Sequence, residues 1–168
     1  MGRPPRLAGF RYIGLHAYFF TICTFNRHRC FADRGTATIT RDHLLRTSVD
    51  YQFELIAYCL MPDHVHALVE GTTEGADFIR FVSMFKQKSG HSYRQSIGSR
   101  LWQESFQEHT LRGDEDVEPI AAYIVGNPIR AGLCEEHRDY PFLGSSRYSL
   151  EQLRDAIQMS PISRRGRP

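Results

Sequence analysis

The sequence predicts an α+β fold of the ferredoxin-like, split β-α-β type, an antiparallel sheet with helices on one face. Three observations predict this class: runs of β-branched and aromatic residues with the length of strands, amphipathic runs with the length of helices, and their order along the chain. That order is strand, helix, strand, strand, helix, strand, with a further helix. Because 41% of the 168 residues are hydrophobic, the chain can bury a core. We expect one domain over residues 1–150 and a flexible tail over 151–168.

The first strand and the first helix are predicted in the N-terminal third of the chain. The run HAYFFTICTFN, residues 16–26, combines β-branched and aromatic residues over the length of a buried strand. Thr40 is a residue type that caps helix N-termini, and Leu44, Leu45 and Val49 then recur near helical spacing. The sequence therefore predicts a short helix that begins at Thr40.

A hairpin and a second helix are predicted next. The runs FELIAYCLM and HVHALVEG are strand-like, and the turn-forming residues Pro62 and Asp63 separate them, with Gly71 ending the second run. In residues 76–93, aromatic and aliphatic side chains recur every three or four positions while basic side chains lie mostly off that stripe. This pattern predicts an amphipathic helix with a basic flank.

The last predicted elements are a strand with weak alternation, residues 106–111, and a third helix. Acidic residues from Asp114 onward suit a helix N-terminus, so we expect the helix to begin between Asp114 and Glu118. The residue before a proline disfavours the α conformation, so Asn127 and Pro128 are predicted to interrupt this helix.

Composition limits the function classes only weakly. The formal net charge of +2 is too small to indicate nucleic-acid binding by itself, so the distribution of charge must carry that argument. The four cysteines form no C-x-x-C pair, which argues against a zinc cluster or a disulfide framework and fits a reducing cytoplasm. The sequence has neither an apolar run of membrane-spanning length nor an apolar N-terminal signal. We therefore expect a soluble, cytoplasmic protein without a membrane partner.

His64 and His66 are the first candidate site residues. On a strand they share one face, because successive side chains point to opposite faces and Val65 lies between them. Neutral imidazole is a common metal ligand, and two of them with one oxygen donor leave coordination positions open for a phosphate. A bare H-x-H also arises by chance in a chain with eight histidines, so this pair alone leaves both interpretations open.

Tyr123 and Asn127 are the second pair of candidates. Four residues apart on a helix, they lie on one face, where a phenol can act as a nucleophile and an amide oxygen can complete a metal site. A structural interpretation is also available, and these residues alone favour it. Asn127, Pro128 and Gly132 can form the cap, first turn and end of a short following helix, and Tyr123 can pack in the core.

The order of the motifs is more specific than any one of them. Along the chain they are P-x-H-V-H, then FKQK in the basic helix, then LWQ, then Y-I-x-x-N-P-I-R-A-G, and finally Tyr140-Pro141 with Ser145-Ser146. From Tyr12 to Tyr148 this arrangement resembles the REP-associated tyrosine transposases, single-tyrosine members of the HUH class, which is named for a His, hydrophobic residue, His motif.

The resemblance implies specific residue roles. His64 and His66 match the paired metal-binding histidines, Tyr123 matches the catalytic tyrosine, and Asn127 matches the polar residue that supplies a third metal ligand. Related single-tyrosine enzymes often have glutamine at that last place, so Asn127 departs from their pattern. Asp63 occupies a variable polar position and is assigned no catalytic role.

The resemblance also implies an activity and its partners. It implies a DNA endonuclease and strand transferase that depends on Mg²⁺ or Mn²⁺ and forms a covalent 5′-phosphotyrosine with single-stranded DNA. The expected ligand is a short, imperfect, REP-like DNA hairpin with unpaired flanking bases. The sequence leaves open whether the protein is a monomer or a homodimer.

Residues outside the two catalytic motifs are candidates for DNA binding. They are Lys86, Lys88, Arg94 and Arg100 on the second helix and the following loop, Trp102 as a stacking platform, and Arg3, Arg6 and Arg11 in an N-terminal basic arm. Each has a plain alternative: solvated surface charges, a tryptophan in the core, and a disordered chain end.

Two rival functions stay open at this stage. The first is a catalytically silent nucleic-acid-binding module, although the adjacent aromatics Tyr18, Phe19 and Phe20 do not share one face as stacking residues would. The second is a hydrolase in which His64 and His66 hold a metal that activates water, without a covalent intermediate. Within the HUH class, relaxases and replication initiators usually carry further domains.

Overall fold

A computed structural model of the chain describes residues 10–111, 117–149, 151–153 and 155, and these residues contain five strands and three α-helices. In chain order they are β1 (Ala17–Cys23), α1 (Arg34–Asp50), β2 (Phe53–Met61), β3 (His64–Gly71), α2 (Phe78–Ile97), β4 (Gln107–Thr110), α3 (Val117–Arg130) and β5 (Leu143–Gly144). The predicted residues Arg3 and Arg6, and most of the expected flexible tail, lie outside the described residues.

The strands form one sheet in the order β4-β1-β3-β2-β5, and every neighbouring pair is antiparallel. The first four strands have the arrangement of a split β-α-β unit, in which α1 connects β1 to β2 and α2 connects β3 to β4. The short strand β5 extends the sheet beside β2. The predicted α+β class and the antiparallel sheet are therefore confirmed.

The two faces of the sheet are covered by different helices. Val65 and Ala67 of β3 belong to a buried cluster with residues of α1 and α2, whereas Leu68 belongs to a second cluster with Ile124 and Val125 of α3. The helices of the split unit thus lie on one face as predicted, but the further helix α3 lies on the other. The reason is that β2 is buried at nearly every position, so both of its faces need a cover.

The predicted start of α1 is wrong. The helix begins at Arg34, and its cap is Asp33, whose side chain accepts a hydrogen bond of 2.7 Å from the backbone N–H of Thr36. Thr40 is buried inside the helix, while Val49, predicted on its apolar stripe, is exposed. An aspartate at the cap position accepts a hydrogen bond from the backbone N–H groups of the first turn, which have no partner within the helix, so it sets the start of the helix.

The predicted interruption of α3 is also wrong. The helix continues through Pro128 to Arg130, and residues 112–116, which include part of its predicted start, lie outside the described residues. Gly132 ends it with a φ of 66°, and the N–H groups of Leu133 and Gly132 bond to the carbonyls of Pro128 and Ile129. This Schellman-type ending places Asn127 within the helix and not at the cap of a new one.

The remaining boundaries agree closely with the sequence. Strands β2 and β3 match the predicted runs, their hairpin turns at Pro62 and Asp63, and β4 lies within the predicted 106–111. Helix α2 runs four residues beyond the predicted Tyr93. No helix in the described part of the chain combines the length and the apolar character needed to cross a lipid bilayer.

Candidate active site

The two candidate histidines meet on the face of the sheet that α3 covers. His64 and His66 begin β3, and they share a face with Leu68, which packs against α3. Their Nε2 atoms are 3.0 Å apart, and their rings are nearly perpendicular, at 80°. The strand geometry predicted from the sequence therefore aims both imidazoles at one point.

Asp63 orients the first histidine. Its Oδ1 lies 2.6 Å from His64 Nδ1, and its Oδ2 lies 3.1 Å from Arg27 Nε. A carboxylate can only accept, so the Nδ1 proton of His64 is directed to Asp63, and a neutral ring then keeps its lone pair at Nε2. Asp63 was predicted to have no catalytic role, and this orienting role was not predicted, although a carboxylate is a usual partner of a metal-binding histidine.

An unusual turn delivers Arg27 to that carboxylate. Asn26 and Arg27 have positive φ values of 51° and 57°, a region that non-glycine residues rarely adopt. Arg27 Nη1 also donates to Cys23 Sγ at 2.8 Å, and Cys23 lies opposite His64 in the β1–β3 register. The turn after β1 is thereby tied directly to the histidine pair.

Thr21 orients the second histidine from the neighbouring strand. It is the register partner of His66, and its Oγ1 lies 2.7 Å from His66 Nδ1. Burial, above all, and then the electrostatic influence of His64 and the positive charges of Arg130 and Arg27, lower the pKa of His66 to about 3. His66 is therefore neutral near pH 7 and can offer a lone pair to a metal.

The spacing of the pair fits a divalent cation. Two nitrogen ligands at right angles, each about 2.1 Å from the ion, are separated by about 3.0 Å. The Nε2 atoms of His64 and His66 have that separation. Among the described residues no group of three or more His, Cys, Asp and Glu side chains is placed to share a metal. From the described residues a further ligand would therefore be an amide oxygen, with water or a bound ligand at the other positions.

Helix α3 brings Tyr123 to the histidines. The centroid of its ring lies 5.8 Å from that of His66 and 6.1 Å from that of Phe19 on β1. Tyr123 is 41% exposed, although Ile124 and Val125 beside it are fully buried. The alternative in which Tyr123 packs in the core is therefore wrong, and the phenol is accessible beside the imidazoles.

Two side chains further along α3 bind the backbone of Tyr123. Its carbonyl oxygen accepts from Asn127 Nδ2 at 3.0 Å and from Arg130 Nη2, and the Arg130 guanidinium carbon lies 4.6 Å from the centre of the Tyr123 ring. In the described part of the chain no hydrogen bond joins Asn127 to either histidine. Arg130 was not predicted as a site residue, although its spacing from Tyr123 is two helical turns.

The predicted DNA-binding residues on and after α2 have mixed outcomes. Lys86 donates to the carbonyl oxygens of Gln103 and Glu104, and Lys88 pairs with Asp50 at 2.8 Å. Trp102 is only 4% exposed and packs between Phe31 and Phe85, with Nε1 donating to Ser89. The prediction that Trp102 stacks on a base is wrong, because its ring faces are inside the core.

A basic groove lies along the second half of α2. Its volume is about 430 Å³, and its lining includes Lys86, His91, Arg94 and Arg100. The loop that closes it pairs with the end of β1, because Phe25 N–H donates to Leu101 and Gln103 N–H donates to Cys23. Since Cys23 lies opposite His64, the groove and the histidines share one end of the sheet. Arg11 is exposed and is not among the groove residues.

Comparison with known families assigns the class of this fold and site. Residues 13–127 match the family described as "Transposase IS200 like", and this range contains both histidines, Tyr123 and Asn127. Because the match covers more than half of the chain, the protein belongs to this family of transposases. The enzyme class expected from the motifs, a tyrosine transposase of the HUH type, is thereby confirmed.

Individual relatives narrow the similarity to one group. The chain is 27% identical over 136 residues to the REP-associated tyrosine transposase of Escherichia coli, covering 78% of this chain and 77% of that protein. It is 28% identical over 139 residues to a Haemophilus influenzae protein assigned to the same group, covering 74% and 77%. The resemblance to REP-associated tyrosine transposases is therefore confirmed.

Solved structures agree with this similarity. A REP-associated tyrosine transposase bound to a REP hairpin superposes with a TM-score of 0.70 and 25% identity, over 85% of this chain and 82% of that one. A Deinococcus radiodurans protein assigned as a transposase, at 21% identity and a TM-score of 0.51, covers 80% of this chain and 98% of its own. The second likeness concerns the fold alone.

Proposed function

We propose that the protein cuts and rejoins single-stranded DNA beside REP-like hairpins, with Tyr123 as the nucleophile. One observation carries the proposal: an accessible phenol lies against His66, whose Nε2 faces that of His64 at 3.0 Å. A nucleophile next to a metal-competent pair is the arrangement that phosphoryl transfer needs. The related structure with a REP hairpin supports the hairpin as the DNA partner.

The proposed reaction conserves the number of phosphoester bonds. The Tyr123 hydroxyl oxygen attacks the scissile phosphorus, and the bond from phosphorus to the 3′ oxygen of the upstream nucleotide breaks. The downstream DNA stays attached to Tyr123 through its 5′ phosphate, while the upstream strand leaves with a 3′-hydroxyl that carries the phenolic proton. A second 3′-hydroxyl can then attack the phosphotyrosine, so rejoining needs no ATP.

The site residues divide the remaining tasks. His64 and His66 would hold Mg²⁺ or Mn²⁺, with Asn127 as a third ligand, while Asp63 and Thr21 fix the rings through their Nδ1 atoms. When bound, such an ion offsets the negative charge of the scissile phosphate. The burial of His66 keeps its ring neutral and available as a ligand.

The DNA backbone would follow the basic groove. Arg94 and Arg100 line it with His91, and their positive charge suits phosphates that approach the histidine end of the sheet. On this proposal the protein acts in the cytoplasm, on chromosomal DNA. Lys88 is paired with Asp50 and contributes less than its charge suggests.

Adduct formation tests the proposal. The wild-type protein is incubated with labelled single-stranded hairpins, with and without Mn²⁺ or Mg²⁺, and covalent complexes are resolved on denaturing gels. Tyr123→Phe should abolish the adduct while hairpin binding persists, whereas Tyr148→Phe, at another exposed tyrosine, should behave as wild type. An adduct in Tyr123→Phe would refute the assignment. Nicking without an adduct would favour the metal hydrolase, and binding without cleavage would favour the silent module.

A further inference from the structure

Arg130 is an arginine that folds back over the candidate nucleophile. It is the last residue of α3, and its guanidinium lies against the ring of Tyr123, two helical turns earlier, while Nη2 donates to the Tyr123 carbonyl. Arg130 is exposed, and in the described part of the chain it forms no ion pair with a carboxylate. A guanidinium has five N–H donors, so most remain available to a ligand.

The helix makes room for this guanidinium at one position. A Cβ added at Gly126 would lie 2.6 Å from Arg130 Nη1, closer than two such atoms can approach. Gly126 lies inside α3 and has an ordinary helical φ, so its backbone conformation does not require glycine. The absent side chain at Gly126 therefore allows Arg130 to lie along the helix beside Tyr123.

The position of this charge suits an incoming phosphate. The Tyr123 ring has the Arg130 guanidinium carbon 4.6 Å from its centre and the centre of the His66 ring 5.8 Å away. A phosphate attacked by the phenol carries negative charge on its non-bridging oxygens, and that charge must be stabilised as the new bond forms. Guanidinium binds phosphate oxygens through paired N–H groups, with a geometry that an ammonium lacks.

We propose that Arg130 is a catalytic residue that binds the phosphate under attack. Its guanidinium contacts a non-bridging oxygen of the scissile phosphate and then of the phosphotyrosine. The hydrogen bond from Nη2 to the Tyr123 carbonyl oxygen keeps the guanidinium beside the phenol. This inference rests on the proposed role of Tyr123. No covalent bond to Arg130 forms or breaks, so Arg130 contributes positive charge and hydrogen bonds.

Single-turnover adduct formation at saturating hairpin DNA tests the inference. Arg130→Ala should slow the reaction about 10²- to 10³-fold, the usual effect of removing one such donor, with little change in hairpin affinity. Arg130→Lys should recover part of the rate because it restores the charge without the paired donors. The matched control is Arg138→Gln, an exposed arginine paired with Glu136, which should react like wild type.

Two further measurements separate phosphate binding from a structural role. Added guanidinium ion at millimolar concentration should restore part of the Arg130→Ala rate, whereas urea should not. Gly126→Ala should displace the guanidinium and slow the reaction while the melting temperature stays equal or rises. A wild-type rate in Arg130→Ala, or a deficit that neither lysine nor guanidinium reduces, would overturn the inference. If Tyr123→Phe still forms adducts, the proposed function itself fails.

Discussion

The Nε2 atoms of His64 and His66 face each other across 3.0 Å, while each Nδ1 is engaged elsewhere. When the His64 ring is neutral, with its proton on Nδ1 toward Asp63, the close pair needs either a proton on His66 Nε2 or a cation between the rings. The Thr21 hydroxyl serves both states, since it can donate to His66 Nδ1 in the first and accept from it in the second. The two states thus differ in the tautomer of a neutral His66, and binding of a cation at Nε2 goes with transfer of the ring proton to Nδ1.

The depressed pKa of His66 predicts acid sensitivity in the metal-free protein. Its folded value of about 3 lies below the ordinary 6.5, so the unfolded state binds a proton first as the pH falls. The stabilisation is fully present above about pH 6.5 and is lost progressively toward pH 3, by at most about 1.4 kcal/mol per pH unit from this group. Denaturant unfolding in EDTA gives the unfolding free energy at each pH between 4 and 7, and its slope against pH should be shallower for His66→Gln than for the wild type. Equal slopes for the two proteins would contradict the depressed pKa of His66.

Asp63 predicts a measurable effect on metal affinity. Asp63→Asn removes the acceptor that directs the His64 Nδ1 proton, so Mn²⁺ binding should weaken about 10- to 100-fold. Isothermal titration without DNA gives the affinity directly, which keeps the readout independent of activity. Asp42→Asn, in a surface pair with Arg41, is the control and should bind Mn²⁺ as the wild type does. Unchanged affinity in Asp63→Asn would remove Asp63 from the account.

The groove predicts a salt-dependent loss of hairpin binding. The logarithm of the binding constant falls as the logarithm of salt concentration rises, and each phosphate contact that is removed reduces the magnitude of this negative slope by about 1. Arg94→Gln and Arg100→Gln should each weaken binding and make the slope less steep, because both residues line the groove. Fluorescence anisotropy with a labelled hairpin over a range of NaCl concentrations measures both quantities. Slopes equal to that of the wild type would place the DNA elsewhere.

The buried position of Trp102 predicts that its substitution lowers the stability of the protein without a specific effect on DNA binding. Its ring packs between Phe31 and Phe85, and its N–H binds Ser89, so Trp102→Ala should cost about 3–5 kcal/mol in unfolding free energy. The milder Trp102→Phe should stay folded and bind the hairpin with wild-type affinity. A large affinity loss in folded Trp102→Phe would instead support base stacking.

Local patterns in the sequence predicted much of the fold and part of the site. Alternation along β3 places His64 and His66 on one face, and the apolar runs give the hairpin β2–β3. Helical spacing brings Tyr123 and Asn127 to neighbouring turns. These features depend on residues close in the chain, for which periodicity is a direct physical signal.

The features that the sequence did not predict depend on competition between alternative local structures or on contacts between residues far apart in the chain. The cap is Asp33 and not Thr40, because residue types that can cap a helix stand both directly before and within Arg34–Asp50, and tertiary packing decides among them. Pro128 was accommodated near the end of α3, before the Gly132 turn. The pairing of Thr21 with His66 follows from strand register, which a single strand does not specify.

The most direct test of the central claim is to locate the covalent bond. The wild-type protein is reacted with a hairpin substrate, the DNA is digested by nuclease, and the tryptic peptides are sequenced by mass spectrometry. We predict a nucleotide remnant on the peptide that contains Tyr123, attached at that side chain, and none when His64 and His66 are both changed to alanine. A remnant on any other residue, or strand cleavage with Tyr123 unmodified throughout the time course, would contradict the account.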